Sequence, residues 1–175
     1  MANPSNALTL TRPLLRGLIV LNTVYAIAIG ALLAATWIFP RLLFEALHVA
    51  EGDGASELHA ALRAVVVVAL AGAYVAYRVL RELLAIVDTV RSGDPFVAGN
   101  ARRLRTIAWF VLAGELLRLL VGAIASAAAR AVPSFKMDLD IGFSFAPWLA
   151  VLLLFVLAGV FEQGTRMRAD LEGTV

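Results

Sequence analysis

Two charged residues, Glu115 and Arg118, lie in the middle of an otherwise apolar stretch of this sequence. A charge inside the hydrocarbon layer of a membrane is costly unless it faces protein and is paired. Because the two residues are three positions apart on a predicted helix, their side chains share one face and can form an ion pair. Either this pair is a structural contact that fixes the rotation of its helix, or Glu115 belongs to a site for a proton or a ligand.

Polar residues in other apolar stretches extend this candidate site. We predict an intramembrane polar core around Glu115 and Arg118, and its further members are Asn22, Tyr25, Tyr74 and Tyr77. Such a core suits a small proton-coupled transporter that uses Glu115. We expect such a transporter to assemble as a homo-oligomer, because four helices enclose little space. The adjacent counter-ion Arg118 argues against transport, since a transport carboxylate usually stands without a permanent partner.

Other kinds of reactive site find no support in the sequence. The chain has no cysteine, which excludes disulfides and thiolate metal sites. Its histidines, His48 and His59, fall outside the apolar stretches, so paired imidazoles inside the membrane cannot hold a haem. These histidines share a loop, residues 40–59, with several acidic residues, but the spacing matches no zinc motif. Since paired catalytic carboxylates and a nucleophile beside a base are also missing, we predict no enzyme, no metal site and no cofactor.

Composition predicts the elements that position the charged pair. With 61% hydrophobic residues, 16% charged residues and a mean hydropathy of +0.86, the chain has more apolar surface than a soluble domain of its size buries. Four stretches approach the roughly 20 apolar residues with which a helix crosses the hydrocarbon layer. They are residues 17–39, 60–77, 106–129 and 147–161. We therefore predict an all-α fold, a single integral membrane domain in which four helices form a bundle within the lipid bilayer.

The basic residues predict the orientation of this bundle, because arginine and lysine are retained on the cytoplasmic side. The larger set flanks one side of the predicted spans: Arg12, Arg16, Arg78, Arg81, Arg91, Arg102, Arg103, Arg105, Arg166 and Arg168. The smaller set lies on the other side: Arg41, Arg63, Arg130 and Lys136. Both termini are therefore predicted to be cytoplasmic. The formal net charge of +2 is too small to favour direct binding of nucleic acid.

The second and third helices are predicted to continue into the cytoplasm as a short hairpin, residues 78–105. An apolar stripe continues along the second helix until Ser92, while Asp94 and Pro95 are typical of a helix start, so we expect the third helix to begin at Pro95. The polar side chains of this hairpin either set the topology and contact lipid phosphates or dock a cytoplasmic partner. The candidate docking residues are Arg78, Arg81, Arg91, Asp94, Phe96, Asn100, Arg102, Arg103 and Arg105.

Two motifs in this sequence resemble those of a known family. The first is Gly93-Asp94-Pro95-Phe96 followed by Asn100, Arg103-Leu104-Arg105, Ile107 and Ala108. The second is Val160-Phe161-Glu162-Gln163-Gly164-Thr165-Arg166-Met167-Arg168 with Asp170, Glu172, Thr174 and Val175. With four spans at this chain length, they are similar to the bacterial membrane family DUF2975.

This resemblance implies a four-span protein of the bacterial inner membrane. It also implies, for many members, a neighbouring gene for a small helix-turn-helix transcription regulator, and it implies no reaction. The leading hypothesis is accordingly a regulatory or sensory membrane protein that holds such a regulator at the cytoplasmic hairpin, and transport is the alternative.

Overall fold

Four long helices form the described part of the chain. The computed structural model describes residues 4–39, 55–92, 97–131, 142 and 144–172, and within these residues it contains helices and no strand. The helices are α1 (Pro4–Ile38), α2 (Ala55–Arg91), α3 (Ala98–Ala131) and α4 (Ala146–Glu172). The predicted all-α fold is confirmed.

Each helix is long and apolar enough to cross a membrane. The segments that meet this description are Leu10–Ile38, Ser56–Arg91, Gly99–Arg130 and Ala146–Arg168. Large apolar side chains also cover much of the helix surface. On α4, for example, Leu149, Leu152 and Leu153 are between 56% and 66% exposed. Lipid solvates such a surface and water does not, so the chain is a multi-pass membrane protein.

The helices extend beyond the predicted spans. At 1.5 Å per residue, the 37 residues of α2 are about 56 Å long, whereas the hydrocarbon layer is about 30 Å thick. α1 begins at Pro4, well before the span predicted from residue 17, and α4 continues to Glu172, beyond the predicted end at residue 161. A search for apolar stretches misses these ends because their polar residues are compatible with a helix but not with hydrocarbon.

The start of α3 differs from the prediction. The expectation that this helix begins at Pro95 is wrong, because Val97 lies outside the helix and Ala98 is the first helical residue. The carbonyl oxygen of Val97 accepts a hydrogen bond from the backbone N–H of Asn100 at 2.8 Å, as the residue that precedes a helix does. The motif residues 93–96 lie outside the described residues.

The chain divides into two compact units. Unit 1 comprises Met1–Asn22, Val75–Ala113 and Ser144–Val175, and unit 2 comprises Thr23–Tyr74 and Gly114–Phe143. Helices α1, α2 and α3 contribute residues to both units, while α4 belongs to unit 1. Whether the whole chain acts as one membrane domain stays a prediction.

Each unit has a core of mainly small and branched apolar side chains. In unit 1, Ala101, Leu104 and Ala108 form a buried face of α3, with the three- and four-residue spacing of a single helix side. In unit 2, Leu58 of α2 packs with Ala128 of α3, and Ala61 and Leu62 cover the contact. Alanines at such contacts let helices approach closely, which favours packing where lipid already solvates the larger side chains.

Candidate functional site

The charged pair predicted in the third span forms an ion pair in unit 2. The guanidinium of Arg118 donates from Nε to Oε2 of Glu115 at 2.9 Å and from Nη2 to Oε1 at 2.7 Å. Glu115 is only 5% exposed. Arg118 also donates from Nη1 to the backbone carbonyl oxygen of Gly142 at 3.2 Å. Both carboxylate oxygens are thus held by one arginine in a bidentate contact, which neutralises the pair within a single helix.

The other members of the predicted polar core occupy different surroundings. Tyr25 and Tyr74 are 50% and 56% exposed, so the structure does not place them in a buried core. Asn22 is partly buried and belongs to unit 1. The hydroxyl of Tyr77, also in unit 1, accepts a hydrogen bond from Nη1 of Arg81 at 3.3 Å.

A buried asparagine joins the adjoining ends of α2 and α3. Asn100 has 0% of its surface exposed, and its Nδ2 donates to Oγ1 of Thr89 at 2.8 Å. Its Oδ1 accepts a hydrogen bond from Nη1 of Arg103 at 2.8 Å, while the Thr89 hydroxyl donates to the carbonyl oxygen of Ile86 at 2.7 Å. We call Thr89, Asn100 and Arg103 the Asn100 network. Because its buried polar atoms have partners, the network fixes the position of α3 against α2.

Ion pairs connect the other consecutive helices of unit 1. Arg12 of α1 approaches Asp88 of α2 with 3.0 Å between Nε and Oδ1. Arg105 of α3 donates from Nη2 to Oε2 of Glu162 of α4 at 3.0 Å, and the other oxygen of Glu162 accepts from Arg166 at 2.9 Å. Together with the Asn100 network, these contacts give each consecutive helix pair of unit 1 a polar connection.

Two arginines of the predicted docking surface lie against aromatic rings. The guanidinium carbon of Arg78 is 5.0 Å from the centre of the Phe110 ring, and Nη2 of Arg78 is 3.7 Å from Oε1 of Glu82. The guanidinium carbon of Arg81 is 5.8 Å from the centre of the Tyr77 ring. Both contacts have the geometry of cation–π interactions.

The remaining candidate docking residues differ in accessibility. Arg91 and Arg102 are exposed, and neither side chain forms a hydrogen bond or an ion pair with another described residue. Asp94 and Phe96 lie outside the described residues. The candidate surface therefore contains residues that take part in contacts within unit 1, among them Asn100, Arg103 and the exposed Arg105. It also contains two exposed arginines, Arg91 at the end of α2 and Arg102 near the start of α3.

Sequence reasoning missed an arginine that contacts the end of α1. Nη2 of Arg63 donates to the carbonyl oxygen of Thr36 at 2.8 Å, and the guanidinium carbon lies 4.6 Å from the centre of the Trp37 ring. The last carbonyl groups of a helix lack partners within it, and a cation near them is favourable. Two features of the sequence could have indicated this contact. Arg63 is the one arginine in the apolar first half of α2, and Trp37 lies at the end of the first span.

Histidine and carboxylate side chains are the groups in this chain that could ligate a metal ion. Among the described residues, no three side chains of histidine, cysteine, aspartate or glutamate come together in a way that would hold a metal ion. His48, Glu45, Glu51 and Asp53 lie outside the described residues, whereas Glu57 and His59 of the predicted loop lie in the first turns of α2.

Comparison with known proteins supports the resemblance seen in the two motifs. A family model described as "Protein of unknown function (DUF2975)" matches residues 8–175, which is nearly the whole chain. No match was found among curated proteins or among solved structures. The match includes both motifs and all four apolar segments, so the chain belongs to the DUF2975 family.

Proposed function

We propose that the chain is a regulatory protein of the bacterial inner membrane that binds a small cytoplasmic helix-turn-helix transcription regulator. The docking site is the adjoining ends of α2 and α3. The family resemblance suggests this class of partner, and the contacts of unit 1 support the choice of site. Binding there would hold the regulator at the membrane and away from its operator.

One observation carries the proposal, the exposure of Arg91 and Arg102 beside the Asn100 network. Arg91 ends α2, and Arg102 lies in the first turns of α3. The buried Asn100 holds the end of α2 against the start of α3. Both guanidinium groups therefore project from ordered helix backbone. Because the backbone that carries the two arginines is already ordered, binding costs less backbone entropy there, which favours recognition of an acidic patch on a protein.

The contacts of Glu115 give less support to the alternative, a proton-coupled transporter. A carboxylate that accepts two hydrogen bonds from Arg118 is strongly held in its charged form by its own neighbour. Transport would require that contact to break in each cycle.

Co-purification with the regulator tests the proposal. The genes on either side of this one are first read for a small helix-turn-helix protein, whose absence would contradict the proposed partner. The tagged membrane protein is then expressed with that regulator and purified in mild detergent. We expect Arg91→Gln together with Arg102→Gln to reduce the regulator retained several-fold, while the amount of membrane protein stays unchanged.

Two control variants test where the regulator binds. Arg16→Gln removes an exposed arginine from α1 of the same unit and should leave retention unchanged. Deleting the tail after Gly164 should also leave the regulator bound. If the tail deletion releases the regulator and the double arginine variant does not, the docking site is wrong.

A further inference from the structure

The first turns of α1 have one side in contact with the rest of unit 1 and another side that is apolar and exposed. Nε of Arg12 lies 3.0 Å from Oδ1 of Asp88 on α2, and Leu15 is buried, with 8% of its surface exposed. The neighbouring Leu14 is 65% exposed, and Leu10, one turn earlier, is 70% exposed. Leu10 and Leu14 therefore lie on the exposed side of α1.

Lipid does not account for the exposure of Leu10 and Leu14. Arg12, which lies between them in the sequence, is at the level of Asp88, and Asp88 is ten residues beyond Arg78, where the predicted second span ends. At 1.5 Å per residue, this separation is about 15 Å along α2. The part of α2 between Arg78 and Asp88 carries further charged side chains, so it lies outside the hydrocarbon layer. The two leucines are thus exposed to water, where neighbouring apolar side chains indicate a protein contact.

The exposed row of leucines continues from water into the predicted first span. Leu18 and Leu21 are exposed as well, and they follow Leu14 at spacings of four and then three residues. Apolar side chains with this spacing line the contact between the two helices of a left-handed coiled coil. A soluble partner could cover Leu10 and Leu14, but it could not follow the row into lipid. A second membrane helix can cover the whole row, and α1 of another copy of the chain is a helix of matching length.

We propose that two copies of this chain form a parallel dimer through α1. The contact residues are Leu10, Leu14, Leu18 and Leu21. Copies in one membrane share one topology, so their α1 helices run in the same direction, and a twofold axis brings each contact residue close to the same residue of the other copy. Removal of leucines from water at the end outside the lipid supplies a hydrophobic driving force that helices within lipid lack. The dimer contact uses neither Arg91 nor Arg102 and does not depend on the proposed regulator.

Disulfide cross-linking in membranes tests the dimer, and the natural absence of cysteine makes the test specific. Membranes that contain the full-length Leu14→Cys or Leu18→Cys variant are oxidised with copper phenanthroline, and the cross-linked fraction is measured on non-reducing gels. Both variants should form covalent dimers. Arg16→Cys is the matched control, because Arg16 is exposed but lies two positions from each leucine and hence on another side of α1. It should cross-link several-fold less.

Two results of the cross-linking would overturn the proposal. Equal cross-linking of the Leu14→Cys and Arg16→Cys variants would show that copies collide at random. The absence of cross-linking in both leucine variants would show that the two α1 helices do not meet.

The mass of the purified protein provides an independent measurement. In mild detergent, light scattering after size-exclusion chromatography should give a dimer for the wild type and a monomer for Leu10→Ser with Leu14→Ser. Helical content by circular dichroism should stay unchanged, because both side chains are exposed in the single chain. Met167→Ser, at an exposed apolar residue of α4 beyond the predicted fourth span, is the control and should remain a dimer.

The mass measurement also separates the second copy from a soluble partner. A double serine variant that remains a dimer would contradict the contact at Leu10 and Leu14. A wild type that is monomeric, together with a double serine variant that no longer retains the regulator, would assign the leucines to the soluble partner and overturn the dimer. Loss of the dimer with full retention of the regulator would support the dimer and leave the proposed regulator contact intact.

Discussion

The side chains of Arg105 and Glu162 meet at 3.0 Å although 57 positions separate them in the sequence. Arg105 belongs to the first of the two family motifs and Glu162 to the second. The two segments that carry the resemblance therefore contact each other in unit 1 and join α3 to α4. Their unusual residues have a structural role that is independent of any partner.

The ion pair between Arg105 and Glu162 predicts how the stability of unit 1 changes when the carboxylate of Glu162 is removed. Glu162→Gln should lower the melting temperature in detergent by a few degrees, because Arg105 and Arg166 both lose a charged acceptor. Arg166→Gln is the control, since it removes only a contact within α4 and should have a smaller effect. Exposed ion pairs contribute little individually, so equal shifts in the two variants would show that the connection between helices adds nothing.

Asn100 predicts a larger effect because it is fully buried. Asn100→Ala removes the donor to Thr89 and the acceptor of Arg103, which leaves buried polar groups without these partners. We expect the free energy of unfolding to fall by about 1–3 kcal/mol, measured by chemical unfolding in detergent micelles. Ser92→Ala is the control, because within the described part of the chain the exposed Ser92 hydroxyl bonds to the nearby Thr89 carbonyl, and its loss should be almost neutral. Similar losses in both variants would contradict a special role for Asn100.

The fold was predictable because its signal is local. The length of an apolar stretch indicates a membrane helix without knowledge of any other part of the chain. The contact between Glu115 and Arg118 was predictable for the same reason, since three positions on one helix fix the two side chains on one face. The predicted start of α3 at Pro95 was too early. Asp94 and Pro95 are residue types that often begin a helix, but they do not determine its first residue.

The contacts between helices were not predictable from the sequence. Thr89 meets Asn100, and Arg105 meets Glu162, only because the helices have particular rotations about their axes. The rotation of each helix is set largely within its span, where a helix in lipid is apolar on both the packed and the exposed side and lacks the polar face that indicates rotation in a soluble protein. The same ambiguity applies to Tyr25 and Tyr74, which are predicted members of the polar core and are 50% and 56% exposed.

The orientation of the chain is open to a direct test, and the absence of cysteine makes it simple. Single cysteines replace Ser56 near the start of α2 and Ser92 after its end, both of which are exposed. Because basic residues are retained in the cytoplasm, an impermeant thiol reagent should label only position 56 in intact cells and both positions in opened cells. Labelling of position 92 in intact cells would contradict the orientation.

The pairing of Glu115 with Arg118 predicts that losing one partner is worse than losing both. Glu115→Gln should lower the melting temperature in detergent, because it leaves the charge of Arg118 without its carboxylate in an apolar setting. Adding Arg118→Leu should restore part of the loss, but not all, since the leucine cannot donate to the carbonyl oxygen of Gly142. Glu57→Gln, at an exposed acid near the start of α2, is the control and should have almost no effect. Arg118→Leu alone completes the cycle. If the losses in melting temperature of the two single variants simply add in the double variant, the residues act separately, and Glu115 is then available for the proton chemistry of a transporter.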